Sequence, residues 1–183
     1  MNVIETKIED LFILEPKVFG DERGYFFESY TKRVLDDLVG TEYEFVQDNE
    51  SKSSYGVLRG LHYQLAPHSQ TKLVRVLQGR VYDVAVDIRK DSPTYAEWVG
   101  AELSSENKKQ FLIPKGFAHG FCVLSETATF AYKCDGYYRP EAERGIVYND
   151  PTLAINWKVK DGDILVSDKD RVLPELADAE MNF

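Results

Sequence analysis

Alternation of apolar residues with small or polar ones is the feature that most constrains how this chain can fold. Tyr82, Val84, Val86 and Ile88 are separated by aspartate or alanine, and this period of two is typical of a β-strand. Between residues 43 and 148, short apolar runs are separated by Gly, Pro, Ser and Asn. This spacing predicts an all-β sandwich or barrel and not βαβ units. The predicted strands include Leu73–Leu77, Val81–Ile88, Trp98–Leu103, Gln110–Ile113, Phe117–Leu124 and Ala128–Cys134.

Two shorter elements are predicted before this region. Ile13–Tyr30 is apolar around a D-E-R-G turn at Asp21–Gly24, a pattern that predicts a hairpin or strand pair. Thr31–Val39 has apolar residues at helical spacing, starts near a serine or threonine and is followed by Gly40. This segment therefore predicts one short helix.

The chain after Asp150 has a different character. Ile155–Trp157 is strand-like, and acidic turns with a short helical or turn segment follow it. We therefore predict a single domain over residues 1–183, with N-terminal strands and a helix (1–42), a barrel core (43–150) and a C-terminal extension (151–183).

Composition and charge narrow the class of function. Of the 183 residues, 43% are hydrophobic and 13% aromatic, and the net charge is −9. The apolar content is enough for a packed core, while the acidity argues against nucleic acid or an anionic membrane as a partner. No apolar run is long enough for a signal peptide or a transmembrane helix. Cys122 and Cys134 are predicted to be buried free thiols, and the predicted location is the cytoplasm.

Two of the three histidines have surroundings that suggest a shared site. His62 and His119 lie in apolar, glycine-rich stretches near arginine and tyrosine, whereas His68 lies in a polar turn. One histidine in such a stretch is more often a hydrogen-bonded core residue, but two in similar settings favour a site. Imidazole titrates near neutral pH and can act as a general base.

These histidines also match part of the metal-binding cupin pattern. Pro114–His119 reads P-x-G-x-x-H, and Gly56–His62 reads G-x5-H. The position of the second histidine in the usual H-x-H is Gln64, and the glutamate that should follow is missing. Cupin metals need two or three imidazoles plus a carboxylate. We therefore predict a cupin-like barrel without a metal, with a metal-dependent cupin enzyme as the alternative.

A histidine that acts as a base usually needs a carboxylate to fix its tautomer. Four aspartates are candidates: Asp83 and Asp87 on the alternating strand, and Asp168 or Asp170 in the tail. The tail sequence S-D-K-D mixes both signs of charge, and by itself it predicts a solvated turn.

Other polar and aromatic residues could recognise a nucleotide. Bidentate arginine contacts and lysines could together neutralise a diphosphate, although each cation alone is more simply a surface charge. The candidate cations are Arg23, Arg59, Lys72 and Lys169. Candidates for hydrogen bonding to a sugar or base and for stacking on a base are Gln47, Asn49, Tyr137 and Tyr138.

Several longer motifs follow one another along nearly the whole chain. They are E-P-K-V-F-G-D-E-R-G-Y-F-F-E-S-Y (15–30), F-V-Q-D-N-x-S-K-S (45–53), V-L-R-G-L-H-Y-Q (57–64), K-L-V-R (72–75), V-Y-D-V-A-V-D-I-R-K-x-S-P-T (81–94), I-P-K-G-F-A-H-G-F (113–121), Y-K (132–133), Y-Y-x-P (137–140), N-D-P (149–151) and D-K-D (168–170). Taken together, they resemble the dTDP-4-dehydrorhamnose 3,5-epimerase family.

The resemblance implies a homodimeric jelly-roll barrel that needs no cofactor. It implies conversion of dTDP-4-dehydro-6-deoxy-D-glucose into dTDP-4-dehydro-L-rhamnose, by epimerisation at C3 and C5, on the route to L-rhamnose. An epimerase that acts at C3 only, or on another dTDP-4-keto-6-deoxyhexose, is the runner-up. A non-catalytic protein that binds nucleotide sugars is a further alternative.

The resemblance also implies roles for individual residues. His62 would be the base, Asp170 its orienting partner, and Tyr132 the acid on the opposite face of the sugar. Lys72 would stabilise negative charge on the C4 oxygen. Sugar and phosphate contacts would come from Arg23, Arg59 and His119. The pocket would be completed by Glu28, Gln47, Asn49, Tyr138, Glu143 and Lys169, with Tyr138 stacking on thymine.

Strand geometry adds two expectations about this pocket. On a regular strand Arg59 and His62, three residues apart, face opposite sides of the sheet. If both line one pocket, Gly60 must mark a bulge or bend. Tyr132 has the same parity as Phe130 and Cys134 and should face the barrel interior.

Overall fold

Thirteen short strands carry most of the regular structure in the computed structural model, which describes residues 1–183. They are β1 (Asn2–Glu5), β2 (Phe12–Glu15), β3 (Phe19–Asp21), β4 (Gly24–Phe26), β5 (Gln47–Ser54), β6 (Leu58–Gln64), β7 (Lys72–Gln78), β8 (Arg80–Asp87), β9 (Trp98–Ser104), β10 (Gln110–Ile113), β11 (Phe117–Val123), β12 (Thr127–Cys134) and β13 (Glu143–Gly145). The α-helices are α1 (Lys32–Val39) and α2 (Asp168–Arg171), and single 3₁₀ turns occur at Pro140–Ala142 and Asp161–Asp163.

The strands form two antiparallel sheets that face each other as a cupin-like jelly roll. The six-stranded sheet has the order β1-β2-β10-β7-β12-β5, and the five-stranded sheet has the order β13-β6-β11-β8-β9. Strands that are adjacent in space are mostly distant in sequence, as in Greek-key connections. The predicted all-β fold is confirmed. The predicted hairpin is also present, as β3 and β4, which pair outside both sheets.

Aromatic and aliphatic side chains from both sheets fill the space between them. Phe121 of β11 stacks on Phe130 of β12 with ring centroids 4.1 Å apart, so these rings join the five-stranded sheet to the six-stranded one. Val74, Val81 and Phe111 are buried in the same cluster. Each such side chain contributes about 1.5–3 kcal/mol through removal of apolar surface from water.

The C-terminal extension covers the outer face of the five-stranded sheet. Val84, Val86 and Ile88 pack there in one buried cluster with Trp157 and Met181 of the extension. The apolar residues of the alternating strand therefore point outward, and the intervening Asp83 and Asp87, both fully buried, point towards the barrel interior.

The strand expected at Ile155–Trp157 is wrong, because no strand pairs with this segment. Its contact with the barrel comes from side chains: Trp157 is buried, and its indole Nε1 donates a hydrogen bond to the carbonyl of Tyr148 at 2.9 Å. The I-x-W pattern therefore reflects side chains that pack against the barrel, and not a strand whose backbone is hydrogen-bonded to a neighbouring strand.

Helix α1 covers the outer face of the other sheet. It begins at Lys32, directly after Thr31, and ends before Gly40, whose φ of 71° lies in the left-handed region that glycine adopts readily. Leu35 packs beneath it against Leu14 and Leu112. The predicted helix is therefore confirmed to within one residue.

A bulge at Gly60 brings Arg59 and His62 to the same cavity, as the sequence predicted. His119 pairs with His62 and Phe121 pairs with Arg59, so three steps along β6 match two steps along β11. Gly60 has a φ of 122°, and a Cβ there would lie 2.5 Å from the Cα of Gly120. Only glycine can satisfy both the backbone conformation and this close approach.

The structure also bears on the state of the two cysteines and on whether a helix could cross a membrane. Cys122 and Cys134 are buried free thiols, as predicted, and burial raises the pKa of each to about 11. Neither α-helix has the length and apolar character required to cross a lipid bilayer.

Gly60→Ala is expected to lower the free energy of unfolding by about 2–5 kcal/mol, because it adds backbone strain and overpacking at one site. Urea denaturation would measure the change. Gly162→Ala is the matched control, since no atom lies within 4 Å of its added Cβ, and it should change stability by less than about 1 kcal/mol. Equal stability of Gly60→Ala and the unaltered chain would contradict the tight contact.

Candidate active site

A cleft opens between the two sheets. A cavity of about 650 Å³ adjoins a second one of about 280 Å³. Asn49, His62, Lys72 and Tyr132 line both cavities, so the two form one continuous cleft. The larger part is closed on one side by the segment that leads into α2. Inward-facing side chains of both sheets and one tail helix therefore meet at the cleft.

His62 is held by a carboxylate from the tail. Its Nε2 lies 2.7 Å from Oδ1 of Asp170, and the backbone N–H of Gly60 donates to Oδ2 of Asp170 at 3.5 Å. Ser167 caps the short helix by accepting a hydrogen bond from the backbone N–H of Asp170 at 3.1 Å. These contacts place the Asp170 carboxylate against the base candidate.

The expectation of a solvated turn at S-D-K-D is wrong for one of its residues. The segment is the helix α2, in which Asp168 is exposed and Asp170 is buried. The structure therefore brings Asp170, and not Asp168, to His62. One helical turn orients the two aspartates differently, and the alternation of charges along the sequence does not reveal this difference.

The ionisation of Asp170 follows from its surroundings. Burial alone would raise the pKa of Asp170, but the hydrogen bond and charge of His62, with the donors Gly60 N–H and Ser167, lower it overall. The ionised carboxylate accepts from the Nε2–H of His62, so in the neutral form of that ring the lone pair lies on Nδ1. Nδ1 has no hydrogen-bond partner in the chain and is available to a ligand in the cleft.

A second histidine–aspartate pair lies beside the first. His119 is the cross-strand partner of His62, and its Nε2 lies 3.0 Å and 3.1 Å from the two oxygens of Asp83. Burial lowers the pKa of His119, and the charges of Lys72 and His62 lower it further, although Asp83 opposes them. Asp83, one candidate partner for a base, thus serves His119.

Asp87, the remaining candidate, has a different environment. Its carboxylate accepts hydrogen bonds from Arg89, Ser92 and Thr94 at 2.6–3.0 Å. It does not line the cleft. Asp87 therefore fixes the loop after β8 and takes no part in the site.

Tyr132 lies on the opposite wall from the histidines. It belongs to β12 of the six-stranded sheet, packs against Phe130, and faces the interior as its parity predicted. Its hydroxyl has no hydrogen-bond partner in the chain, and burial raises its pKa. The protonated phenol of Tyr132 and the imidazole of His62 therefore face one cavity from different sheets.

Two cationic side chains, those of Lys72 and Arg59, line the same cleft. Burial lowers the pKa of Lys72, while the carboxylates of Asp83 and Glu143, and the thiol of Cys134 when it ionises, act in the opposite direction. Its amino group makes no hydrogen bond within the chain. Arg59 also lines the cleft, where its Nε donates to Ser53 Oγ at 3.2 Å.

Five more of the predicted residues form the outer part of the cleft. Glu143 accepts hydrogen bonds from Tyr138 Oη at 2.7 Å and from Lys169 Nζ at 2.6 Å. Gln47 donates to Asn49 Oδ1 at 2.9 Å and accepts from the backbone N–H of Tyr138 at 3.2 Å. This network leaves the ring of Tyr138 half exposed at the opening.

Arg23 and Glu28 are not brought to this cleft. Arg23 lies in the β3–β4 hairpin, pairs with Asp21, and has a side chain that is 85% exposed. Glu28 lines a separate surface cavity with Phe19 and Phe26. Within one chain these two residues do not meet the other predicted site residues.

Comparison with known proteins shows the family of this chain. The family model described as dTDP-4-dehydrorhamnose 3,5-epimerase matches residues 5–178. The chain belongs to this family. It is 57% identical over 180 residues to the dTDP-4-dehydrorhamnose 3,5-epimerase of Shigella flexneri, covering 98% of each chain.

Solved structures of family members superpose on nearly the whole chain. The dTDP-4-dehydrorhamnose 3,5-epimerase of Elizabethkingia anophelis NUHP1 has a TM-score of 0.94 at 53% identity and covers 97% of both chains. The dTDP-6-deoxy-D-glucose-3,5-epimerase of Legionella pneumophila Philadelphia 1, solved with dTDP-4-keto-L-rhamnose, has a TM-score of 0.92 at 56% identity. Its match covers 96% of this chain and 93% of that one.

The family's cupin-like barrel carries the two motif histidines here without a cluster of further ligands. No group of three or more His, Cys, Asp and Glu side chains is arranged to hold a metal ion. Each histidine instead has a single aspartate partner. That the reaction needs no metal or other cofactor stays a prediction, which metal analysis and chelation can test.

Sequence reasoning left some lining residues out. Ser51, Leu165 and Val166 contribute to the larger cavity. Ser51 has the parity of Asn49 on β5 and could have been found from that pattern. Leu165 and Val166 come from an irregular segment, for which no periodicity exists.

Asp170→Asn is expected to lower the free energy of unfolding by about 1–3 kcal/mol at pH 7, because a buried charged hydrogen bond is lost. The folded pKa of Asp170 lies below its ordinary value of 3.8. The stabilisation is therefore complete well above that value and is lost as the pH falls through the folded pKa. Urea denaturation at several pH values would show the difference from the unaltered chain shrinking in acid.

Asp168→Asn is the control for that measurement, since it removes one charge from the same helix at an exposed position. It should change stability by less than about 0.5 kcal/mol. Equal losses in the two variants would show that the effect comes from the charge of the helix and not from the contact with His62.

Proposed function

We propose that this chain epimerises dTDP-4-dehydro-6-deoxy-D-glucose at C3 and C5, giving dTDP-4-dehydro-L-rhamnose, without a cofactor. The observation that carries the proposal is the placement of His62 and Tyr132 on opposite sheets around one cavity. Inversion at carbon requires a proton to leave one face and another to arrive at the other face. The names of the relatives and the ligand of the Legionella structure point to the same substrate class.

The first half of the reaction is removal of a proton next to the ketone. Nδ1 of His62 takes the proton from the carbon, and the electrons of the C–H bond move to the C4 oxygen as an enolate. Asp170 stabilises the resulting imidazolium through the contact at Nε2. The ammonium group of Lys72 faces the same cavity and stabilises the negative oxygen electrostatically.

The second half is protonation from the other side. Burial raises the pKa of Tyr132, so the phenol holds its proton until the enolate carbon takes it. Solvent then removes the proton from His62 and returns one to Tyr132, which restores both groups. The same pair serves C3 and C5 in turn. A positioned acid or base is worth about 10²–10⁴-fold in rate.

The outer cleft is suited to the nucleotide part of the substrate. Arg59 can hold a diphosphate through bidentate contacts, and Lys169 adds a second cation. Gln47 and Asn49 offer amide groups to the sugar or base. The half-exposed ring of Tyr138 can stack on thymine, with its hydroxyl fixed by Glu143.

We further propose that the chain acts as a homodimer in which the β3–β4 hairpin of one copy reaches the other. Phe19, Tyr25 and Phe26 of this hairpin are each more than half exposed, and a patch of this kind is typical of an interaction surface. Arg23 lies in the same hairpin. If a second copy covers the hairpin, Arg23 and Glu28 can join the cleft of that copy.

Mixed dimers test this arrangement. Arg23→Ala and His62→Ala each inactivate a site, and co-expression at equal levels makes half of the dimers mixed. If Arg23 acts on the partner's cleft, one site of every mixed dimer is intact, and about a quarter of the unaltered activity returns. Activity no greater than that of the separate variants would show that Arg23 acts in its own chain or has no role.

The two-face scheme is tested by NMR of the substrate in deuterated water. The unaltered chain should incorporate deuterium at C3 and C5. His62→Ala should slow turnover at least about 10²-fold. Tyr132→Phe should bind substrate and exchange some hydrogen from the His62 side without completing the inversion. Tyr137→Phe is the control, because Tyr137 is exposed and lies outside the cleft.

Other outcomes of this assay decide between the alternatives. Deuterium at C3 alone would identify an epimerase of one carbon only. Undiminished function of His62→Ala would favour a protein that only binds nucleotide sugars. Loss of activity with a chelator, together with stoichiometric metal, would establish metal dependence.

A further inference from the structure

Asp83 takes no part in the proposed reaction, although burial of its carboxylate is unfavourable for stability. Its carboxylate is fully buried in the barrel interior, where a charged group lowers stability unless it is paired. Its only hydrogen-bond partner is Nε2 of His119, which lies 3.0 Å and 3.1 Å from its two oxygens. Asp83 and His119 are therefore a pair within the wall of the cleft.

The pairing settles which nitrogen of His119 can meet a ligand. Nε2 carries a proton because it donates to a carboxylate, and burial lowers the pKa of His119, so the ring is neutral near pH 7. In the neutral ring Nδ1 then carries a lone pair and no proton. Apart from Oε1 of Gln110, every fully buried side-chain nitrogen or oxygen has a hydrogen-bond partner. Nδ1 of His119 has no partner, so it is not fully buried. It is therefore exposed to the cleft that His119 lines.

We infer that Asp83 is a positioning residue that holds His119 in the Nε2–H tautomer, so that Nδ1 accepts a hydrogen bond from a hydroxyl group of the bound hexulose. The identity of the hexulose rests on the proposed function. The tautomer does not, because it follows from the contact between Asp83 and His119.

A hydroxyl fits this acceptor better than a phosphate does. A phosphate oxygen at neutral pH has no proton to donate, and its charge repels the lone pair on Nδ1. The sequence left both sugar and phosphate contacts open for His119. The contact with Asp83 favours the sugar, since the single N–H of the His119 ring already donates to Asp83 and cannot donate to a phosphate oxygen.

The charges around the cleft do not remove this constraint. Lys72 and His62 lie near enough to His119 to disfavour a second proton on its ring. The same buried Asp83 opposes the effect of burial on Lys72, whose pKa is lowered overall. The other charged or titratable groups that line the two cavities are Glu50, Arg59, Tyr63, Tyr132, Cys134, Tyr138, Glu143, Lys169 and Asp170.

The first test reads the tautomer directly. The chain has three histidines, so long-range ¹H–¹⁵N NMR of the unliganded protein gives three rings, assigned with His68→Gln and His119→Phe. We expect His119 to have a protonated Nε2 and a bare Nδ1 near pH 7. A protonated Nδ1 in the unaltered chain would overturn the inference without any change at Asp83.

In Asp83→Asn the ring of His119 should no longer be fixed in the Nε2–H tautomer, because an amide can either accept a hydrogen bond from the ring or donate one to it. Asp87→Asn is the matched control: Asp87 is an equally buried carboxylate on the same strand, but its partners are Arg89, Ser92 and Thr94. A purely structural role for Asp83 predicts lower stability in both variants and an unchanged His119 spectrum in both. That result would also contradict the inference.

The second test identifies the group on the ligand. Calorimetry would compare dTDP, dTDP-6-deoxyglucose and its 2-deoxy and 3-deoxy analogues, none of which has the C4 ketone needed for turnover. In the unaltered chain one deoxy analogue should bind about threefold to tenfold more weakly than its parent. His119→Phe should abolish that preference and leave the affinity for dTDP unchanged.

Two results would refute the assignment to a hydroxyl. One is the same preference in His119→Phe as in the unaltered chain, and the other is an equal weakening of dTDP itself. Failure of the unaltered chain to bind any dTDP sugar would instead contradict the proposed function, and the NMR measurement would still decide the role of Asp83.

Discussion

The hydrogen bond between His62 and Asp170 depends on the packing of the whole C-terminal extension. The two residues are 108 positions apart, and Asp170 lies in a helix of one turn, which has little stability of its own. Trp157, Leu176 and Met181, before and after this helix, are buried against the outer face of the five-stranded sheet. Apolar burial on one face of a sheet therefore positions a carboxylate that acts on the other face.

The two histidine–aspartate pairs show how neighbouring groups of one chemical type acquire different tasks. His62 keeps part of its ring accessible in the cleft, and its aspartate comes from the tail. His119 is almost completely buried, and its aspartate comes from the adjacent strand. Since burial and local charge determine which form of an imidazole is stable, one ring is suited to exchanging protons and the other to holding a ligand in place.

Sequence reasoning predicted the barrel well and the tail poorly, for a physical reason. Strands such as β8 and β12 leave a period of two because each has two distinct faces, and the inward position of Tyr132 followed from that period. The predicted strand at Ile155–Trp157 was wrong because a docked, irregular segment has no period. The partner of His62 was named through family resemblance, whereas charge pattern alone placed it in solvent.

The separation of 108 positions between His62 and Asp170 has a consequence for synthesis. A ribosome translates His62 long before it translates Asp170. The barrel can begin to assemble while translation continues, but its base has no orienting carboxylate until Asp170 has left the exit tunnel. Premature termination anywhere before Asp170 therefore yields a product in which His62 is never paired with it.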